Sequence, residues 1–338
     1  MTGRTNLMAD FLAAHGIDPA TATVLADDAS FRRYFRARTD DGPVVVMDAP
    51  PDHEDVRPFV KVARHLVALG FSAPQVLAED AAGGFLLLED LGDDTFTRIL
   101  EPGGSERELY EAATDVLIAL HSLPAKAALP PGTPPYGNGR LMDEAFLLPQ
   151  WFVPAFTGAH MGEDARRAYG EAWLSVFPAV HALPKTLTLR DYHVDNLIWL
   201  PDRGGIARVG LLDFQDAVAG PGAYDLMSLL EDARRDIAPE LKDAMMTRYL
   251  DAFPDLDPDA FADAFAVLAA QRHAKVIGIF TRLCLRDGKD TYLPHIPRVW
   301  RLLEAALARP VLAPVRAWFD DHVPAEMRVV PPVDGAAP

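Results

Sequence analysis

The chain has one cysteine, Cys284, among 338 residues. A lone thiol closes no internal disulfide and builds no cysteine-based zinc cluster, and it fits a reducing compartment. Long apolar runs are missing too; none approaches the ~18–20 residues that cross a bilayer. The N-terminal stretch MTGRTNLMADFLAAHGIDPA is interrupted by Asp10 and His15 and has no basic segment leading into an apolar one. No signal peptide is read there, and a cytoplasmic location is expected. Positive charge is in deficit: 32 Lys and Arg stand against 49 Asp and Glu, a net charge of −17. Such a balance excludes broad binding to nucleic acid or anionic membrane, which needs a basic surface. No obligate protein partner is evident. The ten histidines show no metal-ligand spacing. Lysine is absent ahead of Lys61.

What is present is ordinary for a globular chain, with 49% hydrophobic and 24% charged residues, and the length suffices for two packed lobes. Residues 5–16 read as a short amphipathic helix stopped by Gly16. SFRRYFRART alternates as a strand, Asp40–Pro43 is a turn, and PVVVMDAP is a second, more buried strand. Asp52 is placed to cap a helix over about 54–69, ended by Gly70. PQVLAED, a Gly83-Gly84 turn and FLLLEDL complete a strand-rich part. Helical patterns then dominate at about 105–123, 141–157, 162–181, 223–236, 239–252, 258–282 and 295–308. Two strand-like pieces, 196–200 and 209–214, interrupt them around a Pro-Asp-Arg-Gly-Gly turn. The tail from Ala313 is expected to wrap the surface or fray.

The informative segment is LRDYHVDNLIWL, followed by VGLLDFQDA. Asp191 and Asn196 lie five apart just before a strand, and Asp213 ends the next strand of the hairpin. Phosphoryl transfer from ATP calls for this set. One carboxylate takes the proton of the attacking hydroxyl; an amide oxygen and a second carboxylate hold Mg2+ against the phosphates. Each residue alone is also a common loop residue, so the weight rests on the combination of D-x4-N, strand, Gly-rich turn, strand and D-F.

On these residues the chain resembles the aminoglycoside phosphotransferase and choline kinase superfamily. That family's H-G-D-x-H-x-x-N loop reads here Leu189-Arg190-Asp191-Tyr192-His193-Val194-Asp195-Asn196. Its I-D-x-x-x-A motif reads Leu212–Ala217, and its G-x-x-x-x-D-L run reads Gly220–Leu226. The resemblance implies an α+β, bilobal protein-kinase-like fold, with a β-rich N-lobe over 1–92 and a helical C-lobe over 93–338. It implies Asp191 as catalytic base, Asn196 and Asp213 as magnesium ligands, and structural roles for His193 and Asp225. ASFRRYFR, VVMDAPP and QRHAKVIGIFTRL are further similar to the bacterial cell-wall recycling kinases that phosphorylate amino sugars at the anomeric hydroxyl. ATP and a small amino sugar are the substrates this implies.

Kinases carry a strand lysine that contacts the phosphates; here the matching strand ends in Met47 and Asp48. Either the chain is a non-catalytic nucleotide-binding regulator, or arginines near the phosphate-covering loop do this work. Ser30, Arg32 and Arg33 are the candidates in that loop, with Arg36 close by. Glu89 and Leu91 are expected to meet the adenine edge through the backbone. Arg272 and Lys275, sharing a helix face, are candidates for reading a substrate carboxylate, and Trp151 for stacking on a sugar. A cationic acceptor, as in aminoglycoside or choline kinases, would use Glu231, Asp232 and Asp236 instead.

Overall fold

In SFRRYFRART the side chains alternate sides at period two, which calls for a strand with two differently covered faces. A computed structural model describes residues 3–27, 31–101, 103 and 105–332. In chain order the elements begin with α1 (Gly3–Ala14), β1 (Thr23–Asp27), β2 (Arg33–Thr39), β3 (Gly42–Asp48), α2 (Arg57–Ala68), β4 (Val76–Asp80) and β5 (Phe85–Glu89). There follow α3 (Phe96–Leu100), α4 (Glu106–His121), α5 (Ala125–Ala128), α6 (Asn138–Ala145), α7 (Val153–Thr157) and α8 (Glu163–His181). Four short strands come next: β6 (Lys185–Thr188), β7 (Leu197–Trp199), β8 (Val209–Leu211) and β9 (Val218–Pro221). The chain closes with α9 (Ala223–Leu230), α10 (Pro239–Asp251), α11 (Pro258–Asp287), α12 (Ile296–Leu307) and α13 (Ala313–His322). It divides into two compact units, Met1–Ala119 with Asp191–Ala217, and Leu120–Arg190 with Val218–Pro338.

The first unit is built on an antiparallel sheet of order β1-β2-β3-β5-β4. One face carries Ala37, Val44, Val46, Phe85 and Leu87 and is covered by Met8, Phe11 and Leu12 of α1. The opposite face, with Tyr34, Val45 and Leu88, borders a cavity. The expected Asp52 cap on α2 is corrected: the helix starts later, at Arg57, and Asp55 Oδ1 accepts from the Arg57 N–H at 3.0 Å. The β7–β8 hairpin is fastened to this unit by Ser72, whose carbonyl accepts from Leu211 N–H at 2.7 Å. At Gly210 a Cβ would lie 3.0–3.3 Å from Leu91, Ile198 and Leu200, so the hairpin can pack that closely only without a side chain there.

The second unit centres on α11, thirty residues long, capped by Asp257 and stopped by Gly288 at φ 67°. Gly278 lets this helix lie against the chain just past α6, since a Cβ there would be 2.3 Å from the Leu147 carbonyl carbon. The single helix expected over 141–157 is broken into α6, a wide turn at Leu148–Phe152, and α7. Pro149 and Pro154 each lack the N–H that a continuous helix would use. The tail differs from its expectation over Ala313–His322, which is the helix α13 with Val315, Trp318 and Phe319 buried. Their i, i+3, i+4 spacing is the helical signal that the neighbouring prolines masked.

Candidate active site

In the first unit, the loop before β7 and the end of β8 bring together the residues that the sequence set apart. Asn196 Nδ2 donates to the Asp191 carbonyl at 2.9 Å and lies 3.5 Å from Asp213 Oδ2. The loop is held from beneath by buried Tyr192, whose hydroxyl donates to the Ala113 carbonyl at 2.8 Å. His193 is buried, and its Nε2 is 3.3 Å from the same amide nitrogen. Asp213 has φ 56°, in the left-handed region that aspartate tolerates better than most residues. Phe214, fully buried, stacks on Phe59 of α2 at 5.0 Å and fixes the turn that carries it.

Asp213 Oδ1 accepts from Arg32 Nη2 at 3.1 Å and from Gln215 Nε2 at 2.9 Å. A cationic group thus already sits on this carboxylate, with an amide close by on its other oxygen. Turned over about its last side-chain bond, the Asn196 amide would present oxygen in place of nitrogen. The donor set fits a hard cation such as magnesium, to be held jointly with a nucleotide's phosphates. Among the described residues no group of three His, Cys, Asp or Glu could hold a metal by itself.

Asn196 and Asp213 lie on the wall of a cavity of about 460 Å3, within the range of small-ligand sites. Its apolar side is Leu25, Tyr34, Val45, Phe59 and Leu88; its edge is Glu89-Asp90-Leu91-Gly92; Asn196 and Asp213 close it. Glu89 and Leu91 line this edge of the cavity, and the Glu89 carboxylate is tied to Arg203 at 2.6 Å. Arg36 forks onto Asp90 and Asp93, at 2.6–3.1 Å, and stiffens this edge. Arg33 is not brought to the cavity. It bonds Asp48 at 2.6 Å beside Arg4, which reaches the same buried carboxylate at 2.6 Å. Residues 32 and 34 share one side of the chain and Arg33 takes the other, as period two requires. Ser30 lies outside the described residues.

The second unit holds the remaining candidates. Arg272 and Lys275, the candidates for reading a substrate carboxylate, are both buried on α11. Arg272 Nη1 donates to the Arg190 carbonyl and to Tyr224 Oη, each at 3.0 Å. Lys275 Nζ donates to Glu144 Oε1 at 3.2 Å, and the same oxygen takes the Arg190 guanidinium. Tyr136 (2.6 Å) and Gln271 (3.0 Å) donate to the other Glu144 oxygen. Burial pushes the Glu144 carboxyl up, yet Lys275, Arg190 and these hydrogen bonds together bring it down to about 2. Both cations are committed, so taking a substrate carboxylate would cost each an existing partner. Trp151 is half-buried on the wide turn after α6.

Glu144 escaped the sequence reading, although a signal was there. It lies at i+3 from Leu141 on the apolar side of α6, where an unpaired carboxylate could not stay. Arg190 has φ 74°, a conformation that costs a non-glycine residue about 1–3 kcal/mol. Asp225, in the first turn of α9, accepts from the N–H groups of Leu189 and Arg190 at 2.7 and 2.8 Å. It thus serves the loop backbone rather than its own helix.

Comparison with known proteins places this geometry. An N-acetylmuramate/N-acetylglucosamine kinase of Caulobacter vibrioides is 39% identical, covering 95% of this chain and 97% of its own. A kinase of the same name from Pseudomonas aeruginosa is 41% identical over 88% of this chain and 87% of its own. Among solved structures, the choline kinase LicA of Streptococcus pneumoniae shares the fold with a TM-score of 0.59 at 12% identity, over 90% of this chain and 99% of that one. The profile of the phosphotransferase enzyme family (APH) matches residues 21–262. With an antiparallel sheet over its first ninety residues and helices through most of the rest, the chain belongs to the phosphotransferase enzyme family and has its α+β, protein-kinase-like fold.

Proposed function

We propose that this phosphotransferase is an ATP-dependent kinase that phosphorylates the anomeric hydroxyl of N-acetylmuramate and N-acetylglucosamine in peptidoglycan recycling. The observation that carries the chemistry is the 3.5 Å approach of Asn196 to Asp213 on the wall of a nucleotide-sized cavity. The choice of acceptor draws its support from the names of the relatives that align along most of the chain.

In this reading Asp191 accepts the proton of the sugar hydroxyl as its oxygen attacks the γ-phosphorus. The new P–O bond forms, the bond to the β,γ-bridging oxygen breaks, and ADP leaves. The anomeric hydroxyl is more acidic than an ordinary alcohol, so Asp191 needs no strongly raised pKa to serve. Magnesium, held by Asn196 and Asp213, would offset the phosphate charge. Arg32 would supply the phosphate contact that a strand lysine gives elsewhere, and the backbone of Glu89 and Leu91 would meet the adenine edge.

A cationic acceptor has less support. Glu231 is bound by Lys242 (2.6 Å) and His273 (2.7 Å), Asp232 by Arg234 (3.3 Å), and Asp236 by Arg298 (3.0 Å). These carboxylates are already neutralised. The test is a panel of the two amino sugars, an aminoglycoside and choline with magnesium and ATP, the products read by phosphorus NMR. Sugar 1-phosphates are expected. Phosphate on another hydroxyl, or turnover of the cations alone, would overturn the proposal.

A further inference from the structure

We propose that Glu144 is a positioning residue that holds Arg190 in its left-handed conformation and thereby sets the direction of the peptide carrying Asp191. This rests on the reading of Asp191 as the base.

Three of the contacts of Arg190 bear on its conformation, and its guanidinium also lies over the Tyr136 ring at 5.9 Å. Asp225 accepts from its N–H at 2.8 Å, and Arg272 donates to its carbonyl at 3.0 Å. Both act on backbone atoms, and any residue at this position could use them. The third is the guanidinium on Glu144, available only to a long cationic side chain. At φ 74° a glycine would sit without strain, whereas a residue with a Cβ must be held there. The chain has the strained residue and also a built anchor for it. Glu144 is 8% exposed and receives Tyr136, Gln271 and Lys275 besides Arg190. An acceptor fixed by three other donors cannot follow Arg190 if its backbone relaxes, so it acts as a fixed post. Relaxation of φ at 190 would swing the next residue, and misplacement of a reacting group by about 1 Å costs on the order of 10²-fold.

The experiment compares two substitutions that leave Glu144 in place. Arg190→Met removes the tether but keeps the strain; Arg190→Gly removes both. We expect kcat of Arg190→Met to fall about 10- to 100-fold below that of Arg190→Gly, with KM for ATP similar in the two. Glu144→Gln should lower kcat by about the same factor in the parent protein and by less than about two-fold in the Arg190→Gly background. Circular dichroism and nucleotide binding check folding, and the two Arg190 variants decide the matter should Glu144→Gln not fold. Equal turnover of Arg190→Met and Arg190→Gly would overturn the proposal. So would equal losses from Glu144→Gln in both backgrounds, because Glu144 would then act by another route. Asp191→Asn, run alongside, tests the base itself: full turnover there removes the underlying reading whatever the Arg190 variants do.

Discussion

The guanidinium of Arg32 lies 3.1 Å from the carboxylate of Asp213, across 181 positions of sequence. Arg32 is 8% exposed, whereas the Asp213 side chain is 33% exposed, so the pair is buried on one side and open on the other. A bound nucleotide would bring phosphates to compete with that carboxylate for the cation.

Arg32→Ala should therefore weaken binding of magnesium-ADP by about 10- to 150-fold, the worth of one charge-assisted hydrogen bond of about 1.5–3 kcal/mol. Arg33→Ala should change it by less than about three-fold, since Arg33 is occupied with Asp48 away from the cavity. Titration calorimetry on both variants gives the answer. A larger loss from Arg33→Ala would reverse the assignment of the two arginines.

Asp191→Asn should reduce kcat by about 10²–10⁴-fold while leaving nucleotide affinity intact. Asp213→Ala should abolish the magnesium dependence of nucleotide binding, because it removes the anionic ligand. Near-normal kcat in the first variant, or unchanged magnesium dependence in the second, would remove the corresponding role.

Lys275→Met leaves Glu144 with three donors instead of four. It should lower stability and depress turnover of N-acetylmuramate and N-acetylglucosamine in parallel, because Lys275 is bound to Glu144 at 3.2 Å. Measuring kcat/KM for both sugars decides this. A loss confined to N-acetylmuramate, the sugar with a carboxylate, would return Lys275 to the role of carboxylate reader.

Acid should act on Glu144 within a defined window. Its carboxyl titrates at about 2 in the folded chain against an ordinary value of 4.5. A lowered folded value contributes stability above pH 4.5, lost as pH falls through the window to about 2, and it corresponds to about 3 kcal/mol. Denaturation midpoints between those pH values should fall less steeply in Glu144→Gln than in the parent protein. Identical slopes would show that the buried carboxylate is not linked to folding.

Much of the frame could be read from the residues, because it rests on local signals. The alternation of β2, the apolar runs of β3 and β5 and the periodicity of α8 and α11 belong to single segments. The spacing of Asp191, Asn196 and Asp213 was visible because one hairpin carries it. The exposure of Arg272 and Lys275 was not visible, since helix spacing shows only which side chains share a face. What meets that face comes from distant positions: Glu144 for Lys275, 131 residues away, and Arg190 and Tyr224 for Arg272, 82 and 48 away. Arg32 and Arg33 were indistinguishable for a similar reason: which of two neighbours turns inward depends on register with β3, and the Arg33–Asp48 pairing fixes it. Strand β1 and the β6–β9 pair, four to five residues each, are too short for periodicity to reveal.

The absence of any lysine from the strands β1 to β5 has a consequence for chemical profiling. Acyl-phosphate nucleotide reagents report on kinases by acylating an amine beside the phosphates. Here the cation next to Asp213 is a guanidinium, permanently protonated and a poor nucleophile. Such reagents would find no amine to acylate on the five strands of its sheet.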